Sequence, residues 1–278
     1  MVRAIAVASG LLLAMPGGRP IEARGQTPAA AQAPAPAQAV LPAAEQIVRR
    51  HIEAIGGADA FRKIQSMHLV GRVDMPTQGI SGPVDIVAAR PDRMRLRTTL
   101  EGIGEIDQGF DGTHGWEVNP LVGPSLKDGR ELDELKDDAW FDSQLYGSEF
   151  VAAMETVGRE VFDSHDAYRV RLTLKSGREV FELFDVQTGF VIGSESRRMT
   201  SMGVVPTVAM LRDYKTFGAI KQPTTLVQRA LGLEQLIHVT TIEFDGVAAS
   251  AFDPPPAVKA LIKAAGVPRH AGGRPAGS

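Results

Sequence analysis

Between residues 67 and 118, apolar and polar side chains alternate with a period of two, and this pattern constrains the fold more than any other feature of the chain. Met67, Leu69, Val73 and Met75 alternate with His68, Arg72 and Asp74, and Val84 and Ile86 resume the pattern after a turn region at 79–83. Met94, Leu96, Thr98 and Leu100 then alternate with Arg93, Arg95, Arg97 and Thr99. Ile106, Gln108 and Phe110 lead through an Asp111–Gly112 turn to Trp116 and Val118. Successive strand residues point to opposite faces, so each run has one apolar and one wet face, as antiparallel sheet requires. A strand and a turn every ten or so residues predicts a meander.

Two segments break the pattern. Across 43–55, Ala44, Ile47, Val48, Ile52 and Ile55 fall on one helical stripe, with Gly56–Gly57 as the stop and a short second turn at 58–64. Across 130–141, Leu132, Leu135 and Ala139 share a helical face while Glu131, Asp133, Glu134, Asp137 and Asp138 make the rest acidic. The latter reads as a helical insertion between two batches of strands. Strands resume at 168–174, 179–185, 190–199, 204–214, 224–230 and 234–245, for about ten or eleven in all. A sheet of that size with one apolar face must curl and cover itself. The reading predicts a mainly β fold, an antiparallel sheet curled towards a barrel around an apolar hollow. Two helical pieces leave part of its oily concave side uncovered.

The ends differ in composition. Arg3 followed by the apolar run 4–15 has the pattern of a secretory signal, too short for the roughly 20 residues that span a bilayer. Residues 1–23 are therefore expected to be a cleavable signal peptide directing export to the periplasm. Residues 24–42, rich in Ala, Gln and Pro, are expected to be a linker, with a folded domain at 43–258 and a largely flexible tail at 259–278. The chain has 278 residues, a net charge of −3 and no cysteine, which excludes disulfides, thiolate zinc and a lipidated N-terminal cysteine. Its basic residues are spread along the chain, so nucleic acid is not an expected partner.

No catalytic or metal-binding set emerges. The six histidines, at 51, 68, 114, 165, 238 and 270, share no metal-ligand spacing, and His51 with Glu53 does not complete an H-E-x-x-H. Gly79-Ile80-Ser81-Gly82 lacks the nucleophile-elbow spacing, and Gly102-Ile103-Gly104 lacks a third glycine and a following helix. Glu101, Glu105 and Asp107 offer carboxylates for acid–base work, but a solvated strand edge accounts for them as well. The Arg93, Arg95, Arg97 row suits anionic headgroups or a partner protein, and equally the wet face of a strand. Met67, Met75, Met94, Met199, Met202 and Met210 suit a pliable apolar lining or an ordinary core.

Three stretches, in order, carry a family resemblance. Arg90-Pro91 leads into the alternating strand; Asp111-Gly112-Thr113-His114-Gly115-Trp116-Glu117-Val118-Asn119-Pro120 follows; and Phe252-Asp253-Pro254-Pro255-Pro256-Ala257-Val258 closes the domain. Together they resemble the LolA family over about residues 43 to 258. The resemblance implies that residues 43–258 form a lipid-binding domain, a half-open antiparallel β-barrel with a helical lid. It implies a carrier, without cofactor or metal, that shields lipoprotein acyl chains or another lipid between an inner-membrane donor and an outer-membrane acceptor. It implies that Arg90 bonds to the lid and that Met94, where an aromatic is usual, lines the cavity mouth. Leu69, Val73, Val84, Ile86, Leu96 and Trp116 are then expected to line the concavity, with Leu132 and Leu135 under the lid. An envelope lipid sensor or adaptor acting on a membrane partner is the alternative, and a hydrolase on an unfamiliar barrel a third reading.

Overall fold

The computed structural model describes residues 40–200 and 203–265. Helices α1 (Ala44–Ala54) and α2 (Ala58–Lys63) precede six strands: β1 (Ser66–Met75), β2 (Ile80–Ala89), β3 (Arg93–Leu100), β4 (Gly104–Phe110), β5 (Gly115–Asn119) and β6 (Gly123–Lys127). Helix α3 (Gly129–Ala139) and a 3-10 turn at Ser143–Leu145 separate these from β7 (Val151–Phe162), β8 (His165–Leu174), β9 (Glu179–Asp185) and β10 (Val191–Thr200). Strands β11 (Gly203–Phe217), β12 (Ile220–Ala230) and β13 (Leu233–Phe244) follow, and a 3-10 turn at Ala249–Phe252 leads into α4 (Pro256–Ala265). Residues 259–265 of the expected tail thus belong to α4, whose Val258 is fully buried. The expected signal peptide and most of the linker lie outside the described residues.

All thirteen strands form one open antiparallel sheet in the order β6-β5-β4-β3-β2-β1-β13-β12-β11-β10-β9-β8-β7. The chain starts at the centre, winds out to one edge, crosses through α3 to the opposite edge and winds back. Strands β1 and β13 close the centre, Leu69 opposite Ile242 and Val73 opposite Ile237. The expected half-open mainly β architecture is observed, with two more strands than the alternation indicated. The additional strands, β6 and β7, are the two edges. Edge strands pair on one side only, and these show weak alternation: β6 carries Pro124, and β7 is bulged at 151/153 and 156/158.

The alternating faces sort as expected. Met67, Leu69, Val73, Met75, Val84, Ile86, Leu96, Leu100 and Ile106 face one concave core that also takes Val170, Leu172, Phe184, Leu211, Leu226 and Ile237 from the other half of the sheet. On the convex face His68 bonds Asp85 at 2.7 Å, Arg97 bonds Asp85 at 3.1 Å, and Arg95 grips Asp107 with contacts of 2.9 and 2.6 Å. The arginine row is therefore engaged within the fold, and Asp107 is occupied by Arg95.

Helices α1 and α2 cross the concave side. Ile47, Val48, Ile55 and Phe61 join the core, the Ile55 carbonyl accepts the Lys221 amide at 2.8 Å, and the Pro42 carbonyl accepts the Thr156 hydroxyl at 2.7 Å. The fully buried His51 shares a 3.0 Å hydrogen bond between Nδ1 and the Gly189 carbonyl, and its ring meets Phe184 and Tyr146 edge-on. Burial pushes its pKa down to about 4, against the opposing pull of Glu182 and the bond to Gly189.

Candidate functional site

Much of the concave core is filled by the chain's own side chains. Besides α1 and α2, the segment after α3 drops Phe141, Tyr146 and Phe150 into the core. Their spacing is neither helical nor strand-like, so periodicity could not reveal that a loop would supply three aromatic plugs. Leu69, Val73, Val84, Ile86 and Leu96 are thus brought together as expected, but against the chain's own side chains. Met94 packs with Phe110, Leu135, Ala139 and Leu132 directly beneath α3. Gly115 lets that helix sit close, because a Cβ there would lie 2.8 Å from Leu135 and 2.9 Å from Leu132.

Trp116 is misplaced by the sequence reading. It pairs with Gly109, opposite Arg95 in the next register pair, and so lies on the convex face. There its ring occupies the place of a Gly109 side chain, its Nε1 donates to Asp107 at 3.4 Å, and it is fully buried. The C-terminal segment makes this part of the outer face a second interior: Phe252 packs on Val87 and Ala89, and Arg95 donates to the Ala251 and Asp253 carbonyls at 3.1 and 3.2 Å. Alternation identifies which residues share a face, not which face curls inward. The methionines divide similarly: Met67, Met75 and Met94 face the concave side, Met199 and Met210 alternate with core-facing residues, and Met202 lies outside the described residues.

Helix α3 crosses from one edge of the sheet to the other and is fastened at both sides. On one side Arg90 donates through Nε to the Ile64 carbonyl at 2.7 Å and through Nη2 to the Phe61 carbonyl at 3.0 Å, and it pairs with Asp142 just beyond α3. Its guanidinium lies 5.0 Å from the Phe141 ring centre, and the Phe141 amide bonds the Pro91 carbonyl at 3.0 Å. Arg90 therefore joins β2, the end of α2 and the segment after α3.

On the other side Asp138, whose side chain is 0% exposed, lies between Arg198 of β10 and Arg178 before β9. Arg178 donates to Asp138 at 3.1 Å and to the Glu134 carbonyl at 3.2 Å, while Ser176 donates to Asp137 at 2.8 Å. The Glu134 carboxylate accepts the Met199 amide at 3.1 and 3.0 Å. Burial alone would raise the Asp138 pKa, but the two guanidiniums hold it below the usual carboxylate range. Arg198 is correspondingly raised: burial disfavours its charge, and the nearby Asp138 carboxylate more than compensates. The sequence reading placed these carboxylates on a wet helix face and missed the latch, because its arginines lie 40 and 60 residues away.

Beneath this latch is a cavity of about 20 Å³ of mixed lining, with Asp138, Arg178, Ser194, Ser196, Arg198 and Gln228 beside Val180 and Ala209. That volume suits a water molecule, not an acyl chain. Among the described residues no cluster of three or more His, Asp or Glu could hold a metal, and no helix is long and apolar enough to cross a membrane.

No protein-family profile and no curated protein matches the chain. Solved structures do. A LolA superfamily protein from Nitrosomonas europaea is 12% identical, with 77% of this chain and 99% of that one covered and a TM-score of 0.49. A putative outer membrane lipoprotein-sorting protein domain from Vibrio parahaemolyticus is 10% identical over 78% of this chain and 99% of its own, with a TM-score of 0.46. A DUF1329 family protein from Desulfovibrio piger is 13% identical over 75% and 96%, with a TM-score of 0.44. These are likenesses of chain path; what the concave face can do is set by its own side chains.

Proposed function

We propose that this protein is an exported, periplasmic carrier that takes lipoprotein acyl chains or another lipid onto the concave face of its sheet, without catalysis. One observation carries the reading. The helix spanning the two sheet edges covers an apolar surface yet is held at both sides by charged and polar contacts, through Arg90 with Asp142 and through Arg178 and Arg198 with Asp138.

The filled interior sets the mechanism. A chain of about fifteen methylenes needs roughly 12 kcal/mol of shelter, at about 0.8 kcal/mol per methylene. The helix and its aromatic plugs cover the apolar strand residues beneath them, so cargo reaches those residues when helix and plugs move out together. Phe141, Tyr146 and Phe150 then expose the strands they covered, and an acyl chain takes their place. Exchange of one apolar partner for another keeps the net cost of opening small, while the polar contacts decide when opening happens. Donor and acceptor membrane proteins are the expected partners.

Lipids extracted from the protein purified from its native periplasm, together with titration of fluorescent acyl probes, test the proposal. Co-purified lipid or saturable probe binding is the expected result. A protein that is empty and also binds no acyl probe is not a carrier.

A further inference from the structure

Arg178 and Arg198 face carboxylates of α3 only while that helix is seated. Glu134, Asp137 and Asp138 all belong to the helix, whereas Arg178 and Arg198 belong to the sheet side. The two arginine side chains are only 7% and 11% exposed. Departure of the helix strips two neighbouring guanidiniums of the carboxylate they share, a state that favours the arrival of another negative group.

The surroundings are already arranged to receive one. Ser194, Ser196, Thr207 and Gln228 line the cavity beside the arginines, with Val180 and Ala209 as its apolar part. The buried Arg178 Nε, at the same cavity, donates to no acceptor among the described residues. Glu182 on β9, opposite Ser194 in the strand register, accepts the Tyr146 hydroxyl at 2.6 Å.

We propose that Arg178, Arg198 and this hydroxyl-lined cavity form a binding site for an anionic headgroup, phosphate or carboxylate, and that Asp138 is its internal stand-in. The inference rests on the carrier reading and adds the chemical class of the cargo. A planar guanidinium pair recognises such oxyanions in a bidentate manner, and the serine and threonine hydroxyls supply further donors. The headgroup displaces Asp138, the helix lifts, and the attached chain reaches the apolar strands. A zwitterionic headgroup leaves the arginine charge incompletely matched and is a poorer opener.

Trp140 provides the readout. It follows α3 directly and stacks on Phe150 with ring centres 6.1 Å apart, whereas Trp116 is buried on the convex side. The full chain is titrated, below micellar concentrations, with lysophosphatidylglycerol, lysophosphatidylcholine of the same acyl length, and inorganic phosphate. Trp140 emission and native mass spectrometry follow binding. The anionic lipid is expected to bind about tenfold tighter than the zwitterionic one, in keeping with charge-assisted pairing. Asp138→Asn is expected to tighten the anionic lipid further by removing the competitor. The double variant Asp138→Asn/Arg198→Gln, which leaves no carboxylate stranded, loses the preference. Equal affinity for both lipids overturns the headgroup site and leaves the carrier reading intact. Binding of neither lipid overturns the carrier reading itself. A full Trp140 response to phosphate alone, at concentrations where the lipid acts, overturns a lipid as the source of the anion.

Discussion

His51 links the anchoring of α1 to pH, and the size of the effect follows from its surroundings. The ring is fully buried against Phe184 and Tyr146, and its pKa falls from 6.5 to about 4. The unfolded chain therefore takes up a proton at a pH where the folded chain does not. Stability is complete above the unfolded value, drains away as pH falls from about 7 towards 4, and levels off below. A fall from 6.5 to about 4 corresponds to about 3.4 kcal/mol in total. Between pH 7 and pH 5 the same linkage gives about 1.8 kcal/mol. With a urea dependence of roughly 2.5 kcal/mol per molar, the midpoint moves by about 0.7 M over that interval. The carboxylates held low, including Asp85 and Asp138, lose their contributions as pH falls through their own depressed values, outside this window. Urea unfolding of the wild type and of His51→Gln at pH 7, 6 and 5 isolates the effect, since the other histidines act equally in both. The variant should be less stable at pH 7 and nearly lack this component of the slope. An unchanged slope would show that His51 is not the group being titrated.

Arg90→Leu removes two carbonyl contacts and the pairing with Asp142, at a cost of about 2–4 kcal/mol for charge-assisted bonds in a part-buried site. The variant should show faster proteolysis within 140–150 and altered release of acyl probes; unchanged kinetics would deny Arg90 a latch role. Gly109→Ala places a methyl carbon 2.3 Å from the Trp116 ring, so a loss of about 1–3 kcal/mol is expected in thermal unfolding, with acyl-probe affinity unaffected because this face is outside the barrel. Below the ordinary carboxylate range near 3.9, Asp138 loses its advantage as pH falls through its depressed value, so Trp140 emission should report lid release there and stay constant between pH 5 and 8.

The half-open sheet was legible because period-two alternation survives wherever a strand has neighbours on both sides. It faded at β6 and β7, where Pro124 and two bulges interrupt the pattern. Arg90 could be singled out because it sits in a short local motif, whereas the partners of Asp138 are distant in sequence and β10 reads as an ordinary polar stretch. Trp116 shows a different limit. Its face turns outward, and only the C-terminal segment, folding back over the convex side, makes that face a core.

The pairing of β1 with β13 has a bearing on the export proposed for this chain. The central seam of the sheet joins residues 67–74 to residues 236–244, so the half-barrel acquires its middle only after nearly every other strand exists. Contacts of such long sequence separation form slowly. A polypeptide threaded tail-last through a secretion pore would stay unfolded until the very stretch that completes it has emerged, which is the state that translocation requires.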